Sequence, residues 1–254
     1  MQLECNQGGS HSVVFDVCAW GFGEMSIKLY ELAADNADIR FSPHCWKTRL
    51  ALAHKGLDVE RVPWRFTDKD TIAFSGQGKV PVLLDGETSV HDSWAIACYL
   101  EDTYPDPPAL FGGEAARAQC RFVNAWADTV ILPNLAPMII CDIHANIATQ
   151  DKDYFRKTRE ARFGNTLEAL SANRNKDVVR FRALFAPVRT VLAGQPYLGG
   201  DQPLYADYCV FGMLMWARCI SDIDLFPNDD PIHAWCEKLL DMFDGMPRKA
   251  ACAA

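Results

Sequence analysis

The sequence predicts an α/β domain followed by an all-helical one, and three observations carry that reading. Strand and helix signals alternate between Ile27 and Thr103. A proline-rich break, Tyr104-Pro105-Asp106-Pro107-Pro108, then interrupts the pattern. Beyond it the apolar periodicity is helical, without a convincing strand. The expected boundaries are 25–104 for the α/β domain, 105–113 for the linker and 114–254 for the helical domain. Residues 1–24 contain no lysine or arginine and end just before Met25-Ser26-Ile27, so they read as an extension, either a disordered arm or an over-extended translation.

Within the first part, Ile27-Lys28-Leu29-Tyr30-Glu31-Leu32 alternates as a short strand. Ser42 is the expected N-cap of a helix whose first residue is Pro43, where the missing N–H costs nothing, and Gly56 is its stop. Val59-Glu60-Arg61-Val62 is a strand candidate, followed by a polar and aromatic stretch over 64–78. A strand over 80–87 turns into a hairpin partner, Thr88-Ser89-Val90-His91, and Asp92-Ser93 starts a helix over 94–103. The order implies a mixed sheet. In the second part the pattern predicts helices over 114–147, bent or interrupted at Pro133 and Pro137, over 154–172, over 177–192 with a kink at Pro187, over 205–220, and over 232–243.

Composition narrows the function. The chain is 254 residues long, 49% hydrophobic and 23% charged, with a formal net charge of -8, which argues against nucleic acid as a partner. Its ten cysteines are scattered singly, which points to reduced thiols in the cytosol rather than a disulfide framework. No Cys/His cluster has zinc spacing, so no metal is expected. The apolar stretch over 130–141 contains two prolines, so no membrane-spanning helix and no membrane partner are expected.

Three motifs carry the chemistry. Ser42-Pro43-His44-Cys45 has the spacing of a C-x-x-C redox motif with a hydroxyl in the first position. A hydroxyl cannot form a disulfide, but at a helix N-terminus it can stabilise another molecule's thiolate. Lys79-Val80-Pro81 places an X-Pro bond, a candidate cis bond, where backbone N–H and C=O groups can pair with a peptide-like ligand. Asp92-Ser93 offers a carboxylate for an ammonium group and a helix start for a carboxylate. A sulfur site, a backbone edge and a zwitterion site together describe glutathione.

Each motif has a plainer reading as well. Ser42 is also a common N-cap, Asp92 also a capping acid, and His44 also a surface residue. Cys45 is either a packed thiol or the sulfur of a glutathione-dependent oxidoreductase. Arg159, Arg162 and Glu168 read as a solvated or inter-helix charge network, and Trp126, Phe211 and Trp216 as core. The acceptor pocket is expected between the Ser42 loop and the first long helix, with Phe41, His44, Asn134, Met138 and Cys141 as its candidates.

Phe41-Ser42-Pro43-x-x-Trp46-Lys47-x-Arg49, Lys79-Val80-Pro81-Val82 and Asp92-Ser93 resemble the cytosolic glutathione transferases over the chain from Met25 onward. The resemblance implies a thioredoxin-like N-terminal domain, glutathione as co-substrate and a homodimer. It further implies thiolate stabilisation by Ser42, main-chain pairing at Val80 beside cis-Pro81, γ-glutamyl binding by Asp92 and Ser93, and a glycyl-carboxylate contact at Lys79. Asp92-Ser93-Trp94-x-Ile96-Ala97 and Phe155-Arg156-x-x-Arg159-Glu160-x-Arg162-Phe163-Gly164 resemble a narrower branch, the bacterial glutathione-dependent β-aryl etherases and related fungal serine-type enzymes. That branch implies attack on a hydrophobic aromatic electrophile and cleavage of lignin-type β-aryl ethers. The family's folding motif carries Ser or Thr where this chain has Leu204, so the N-cap above Asp207 must be built differently. A protein that only binds aromatic ligands is the non-enzymatic alternative.

Overall fold

A computed structural model describes residues 27–106 and 108–253; the expected extension over 1–24 lies outside the described residues. Four strands, β1 (Ile27–Leu32), β2 (Val59–Trp64), β3 (Val82–Asp85) and β4 (Thr88–His91), form one sheet in the order β2-β1-β3-β4. β1 and β2 are parallel, and β3 runs antiparallel to both β1 and β4. Pro63 lies in β2, an edge strand, where a missing N–H is tolerated. Helix α1 (Pro43–His54) follows β1, and α2 (Ser93–Thr103) follows β4. The polar stretch after β2 holds a short 3₁₀ turn, Lys69–Ser75.

Among the described residues, everything after residue 104 is helical or loop: α3 (Glu114–Trp126), α4 (Leu132–Asn146), α5 (Thr149–Phe163), α6 (Leu167–Ser171), α7 (Arg174–Leu184), α8 (Ala186–Leu192), α9 (Tyr205–Ile220), α10 (Pro231–Leu240) and the short α11 (Met242–Gly245). The first fold class expected from the sequence, a thioredoxin-like α/β domain plus a helical one, is therefore the observed one.

Several helix limits differ from the periodicity reading. Pro133 and Pro137 do not interrupt the first long helix. Pro133 occupies the first turn of α4, Pro137 is accommodated inside it, and a π turn, Ala127–Ile131, joins α3 to α4 without a break. The continuous run Glu114–Asn146 has a window of mean hydropathy 1.2, long and apolar enough to cross a membrane, of which 44% is buried in this fold. The helix expected over 154–172 is two helices. Gly164 adopts φ +68 at the end of α5, a left-handed cap that a chiral residue adopts only with strain, and α6 starts anew with the Thr166 hydroxyl as its cap. Pro187 likewise starts α8 rather than kinking a longer helix.

Helix α9 is the centre of the helical part; nearly every side chain along it is buried. Its start is built on Asp207. With Leu204 at the N-cap, the Asp207 N–H donates to the Leu204 carbonyl at 2.9 Å instead of to a hydroxyl. The buried Asp207 carboxylate in turn accepts from the N–H groups of Leu198 (2.8 Å), Gly199 (2.9 Å) and Leu204 (3.0 Å) and from Trp235 Nε1 (2.9 Å). Burial pushes its pKa up, and these donors oppose the rise.

Gly212 lets α9 lie against the first turn of α1. A Cβ on it would stand 2.8 Å from the Pro43 carbonyl oxygen and 3.1 Å from Lys47 Cγ. At the other end of α1, Lys55 Nζ meets Glu101 Oε2 at 2.7 Å and the Tyr104 carbonyl at 3.0 Å, while Glu101 also accepts from the Leu110 N–H at 2.8 Å. Burial alone would raise the Glu101 pKa, but Lys55 and the Leu110 N–H outweigh it and hold the carboxyl below its ordinary value.

Two outcomes follow. Gly212→Ala, which stabilises an open helix by about 1 kcal/mol, is expected here to destabilise by about 1–3 kcal/mol through overpacking, measured by urea unfolding. Glu101→Gln is expected to destabilise by about 3 kcal/mol at neutral pH, because it strands the buried Lys55 ammonium. A depressed carboxylate contributes stability above its unfolded pKa, near 4.3, and loses it as pH falls through the folded value, so the gap between wild type and variant should shrink below about pH 4.

Candidate functional site

The N-terminus of α1 is assembled from the loop after β1. Ser42 is 5% exposed; its Oγ accepts the Cys45 N–H at 3.4 Å, and its hydroxyl also interacts with the Cys45 thiol, where it works to lower that pKa. Pro43 fills the first helical position. Cys45 points inward, 1% exposed, and burial first, then the Glu31 charge, push its thiol up to about 12. A neutral, buried thiol is a poor nucleophile.

Lys79, Val80, Pro81, Asp92 and Ser93, all singled out in the sequence, line a single cleft of about 260 Å³ together with His44, Gln77 and His91. The Val80–Pro81 bond is cis. Gln77 clamps this edge: its side-chain oxygen accepts the Lys79 N–H at 2.7 Å and its amide donates to the Lys79 carbonyl. Asp92 caps α2, one carboxylate oxygen accepting from the N–H groups of Trp94 and Ala95 at 3.0 Å each. It does so at φ +73, ψ 126, a backbone conformation costly for a residue with a Cβ, and such strain clusters at ligand sites. Ser93 is buried behind it, its carbonyl accepting from Tyr205 Oη at 2.7 Å.

His44 stands between this cleft and a second one. A cavity of about 150 Å³ is walled by Phe41, Pro43 and His44 on one side and by residues of α4 and α5 on the other. Phe41 and His44 are where the sequence placed them; Asn134, Met138 and Cys141 are not. Asn134 is exposed and bonded to the Val130 carbonyl at 2.8 Å, Met138 is in the core, and Cys141 is half-buried away from the cavity. The α4 residues on the wall are Leu132, Ala136, Ile140 and Ile143.

Trp216, expected in the core, is half-buried and lines the same cavity, whereas Phe211 is buried against Trp235 with ring centroids 6.1 Å apart. Gln77, His91, Phe66 and the α5 arginines were not assigned to a site from the sequence. Only Gln77 had a signal there, its position just before Lys79.

The electrostatics around His44 are set by a buried lysine. Lys47, 0% exposed, donates from Nζ to Asp128 Oδ1 at 2.6 Å and Asn124 Oδ1 at 3.0 Å, tying α1 to α3 and the π turn. Asp128 Oδ1 also lies 3.6 Å from His44 Nδ1. Burial first, then Lys47, lowers the His44 pKa, with Asp128 and Asp92 opposing and Lys79 adding, so the imidazole is neutral near pH 7. Among the described residues no group of three His, Cys, Asp or Glu side chains is placed to hold a metal ion, and the eight described cysteines are unpaired.

Comparison with known proteins places this arrangement. Residues 37–108 match the family model "Glutathione S-transferase, N-terminal domain", and residues 118–227 match "Glutathione S-transferase, C-terminal domain". The chain is 36% identical over 107 residues to "Glutathione S-transferase Z2" of Arabidopsis thaliana, covering 40% of this chain and 44% of that one. It is 37% identical over 78 residues to the "Probable glutathione transferase" of Aplysia californica, covering 30% of this chain and 84% of that one. The chain spans about half the length of the first plant and fungal curated relatives it matches. Among solved structures, a glutathione S-transferase of Ceriporiopsis subvermispora, CsGST63524, in complex with glutathione, superposes with a TM-score of 0.75 at 26% identity, over 86% of this chain and 96% of that one. The two family models in tandem, the relatives and the shared fold agree: the chain belongs to the glutathione S-transferase superfamily.

Proposed function

We propose that the protein is a serine-type glutathione transferase that binds glutathione in the cleft between α1 and α2 and directs its thiolate into the apolar cavity beyond His44. The observation that carries this is the convergence of the Val80–Pro81 edge, the Asp92–Ser93 helix start and the first turn of α1 on one cleft. The cleft shares His44 with an apolar cavity. In the fungal relative CsGST63524 the matching fold holds glutathione.

In this reading the Val80 backbone pairs with the cysteinyl unit, Asp92 takes the γ-glutamyl ammonium, and Ser93 with the α2 N-terminus takes its carboxylate. Lys79 takes the glycyl carboxylate. Ser42 donates its O–H to the sulfur, which the α1 dipole also favours as an anion. Ser42 makes no covalent bond. The unpaired cysteines suit a cytosolic enzyme, and a homodimer is the family's usual assembly.

The acceptor in this proposal is an aromatic electrophile, and the narrower form is thiolysis of a β-aryl ether. There the thiolate forms a C–S bond to the carbon bearing the ether oxygen, the C–O bond breaks, and the phenolate leaves and takes a proton from solvent. Incubation with glutathione and β-aryl ether dimers should release the phenol; no release from any stereoisomer, with turnover of simple aryl halides intact, removes the etherase part alone.

Ser42→Ala is expected to lower kcat/KM about 100-fold and to return the bound thiol toward the free value of about 8.5. The thiolate absorbance of the glutathione complex, followed against pH, reads the second effect; an unchanged titration overturns the role of Ser42. Cys45 should be inert: iodoacetamide at pH 8 is expected to leave it unmodified in the folded protein, and Cys45→Ser to retain activity. Loss of activity in Cys45→Ser with Ser42→Ala unaffected would instead support the thiol oxidoreductase.

A further inference from the structure

Two arginines of α5 line the acceptor cavity, Arg159 half-buried and Arg162 exposed. Among the described residues His44 is its only other titratable wall residue, and no carboxylate lines it. Of the solvated or inter-helix charge network expected from Arg159, Arg162 and Glu168, the solvated part holds, since Arg162 and Glu168 are exposed, but neither of these arginines pairs with Glu168. Glu168 pairs with Arg156 at 2.8 Å, and Glu160 accepts from Arg156 at 2.9 Å and from the Leu167 N–H at 3.2 Å. Among the described residues, neither cavity arginine lies within ion-pair distance of an acid.

Arg159 is held rather than solvated. Its guanidinium lies 5.0 Å from the Phe66 ring centre and 4.6 Å from that of Phe155, and its Nη1 donates to Thr158 Oγ1 at 2.9 Å. Burial lowers its pKa; Tyr154 opposes the fall and Arg162 adds to it. Aromatic contact fixes a guanidinium plane while its in-plane N–H edge stays open to a planar anion, which a carboxylate matches in a bidentate way. A half-buried cation without a partner costs free energy that an anionic ligand recovers. The remaining wall is aliphatic and aromatic, and a cavity of about 150 Å³ holds a single ring.

We propose that the acceptor is an aryl carboxylate: its ring occupies the apolar cavity and its carboxylate lies on the Arg159–Arg162 edge, turning the opposite end of the ring toward Pro43 and His44, next to Ser42. The assignment names the substrate class of the transferase reading above and, as a transferase acceptor, rests on it. Arg159 and Arg162 are specificity residues; neither takes part in bond making.

The test is titration calorimetry with 4-chlorobenzoate and its neutral counterpart 4-chlorobenzamide. Wild type is expected to bind the acid about 10-fold more tightly, the equivalent of one charge-assisted pair. Arg159→Gln and Arg162→Gln should each reduce that preference several-fold, and Arg159→Lys should restore part of it. Equal affinity of the two probes for wild type, or a preference that survives both Gln substitutions, overturns the proposal. If Arg159→Gln does not fold, the wild-type comparison and Arg162→Gln decide. Glutathione is titrated separately on the same protein. Absence of glutathione binding with the acid preference intact defeats the transferase reading and leaves the carboxylate site standing.

Discussion

The contact of α9 with the N-termini of α1 and α2 is the constraint on which the rest of the structure depends. Gly212 has no side chain to hold the first turn of α1 away, so the helix backbones meet at Pro43. One helix further along, the Tyr205 hydroxyl bonds to the Ser93 carbonyl and so fixes the start of α2. His54 Nδ1 and Tyr208 Oη, 2.7 Å apart, add a third tie, near the end of α1. Both helix starts that face the cleft are thus positioned by one buried helix of the other domain. That helix is itself anchored by the four donors converging on Asp207.

A second layer of control is electrostatic. Lys47 is buried where hydrocarbon would be expected, and its charge is matched by Asp128 and the Asn124 amide oxygen from the helical domain. Such a pair is a weak source of stability but a strong source of registry, because misplacing either partner strands a charge. It holds the π turn against α1, and the Lys47 charge adds to the burial that lowers the His44 pKa while Asp128 opposes it. On the far wall, Arg159 and Arg162 have no carboxylate within ion-pair distance among the described residues.

Local signals made much of the fold legible. The Ser42-Pro43 start and Gly56 stop of α1, the β3–β4 hairpin, and the Asp92 cap each follow from a residue's own backbone preference or a side chain reaching its nearest N–H groups. The members of the cleft lie at three such landmarks, which is why Lys79, Val80, Pro81, Asp92 and Ser93 could be named from sequence and are found together. The acceptor side was not legible. A π turn has no residue signature, and beyond it the α4 wall is built by Leu132, Ala136, Ile140 and Ile143, two positions away from the expected Asn134, Met138 and Cys141. Proline misled in the same region, because the first turn of a helix and a locally widened interior both tolerate it.

What the sequence by itself determined is the class of each domain, the capped starts of α1 and α2, and Lys79, Val80, Pro81, Asp92 and Ser93 of the cleft, because caps, turns and periodicity act over a few neighbouring residues. Tertiary structure decided which helix faces meet, that Cys45 is sealed away behind Ser42, and that Arg159 lines an apolar cavity with no carboxylate among its described lining residues. Those outcomes depend on the rotation of one helix against another and on which charges are brought within a few ångströms. Both are properties of packing between segments far apart in the chain.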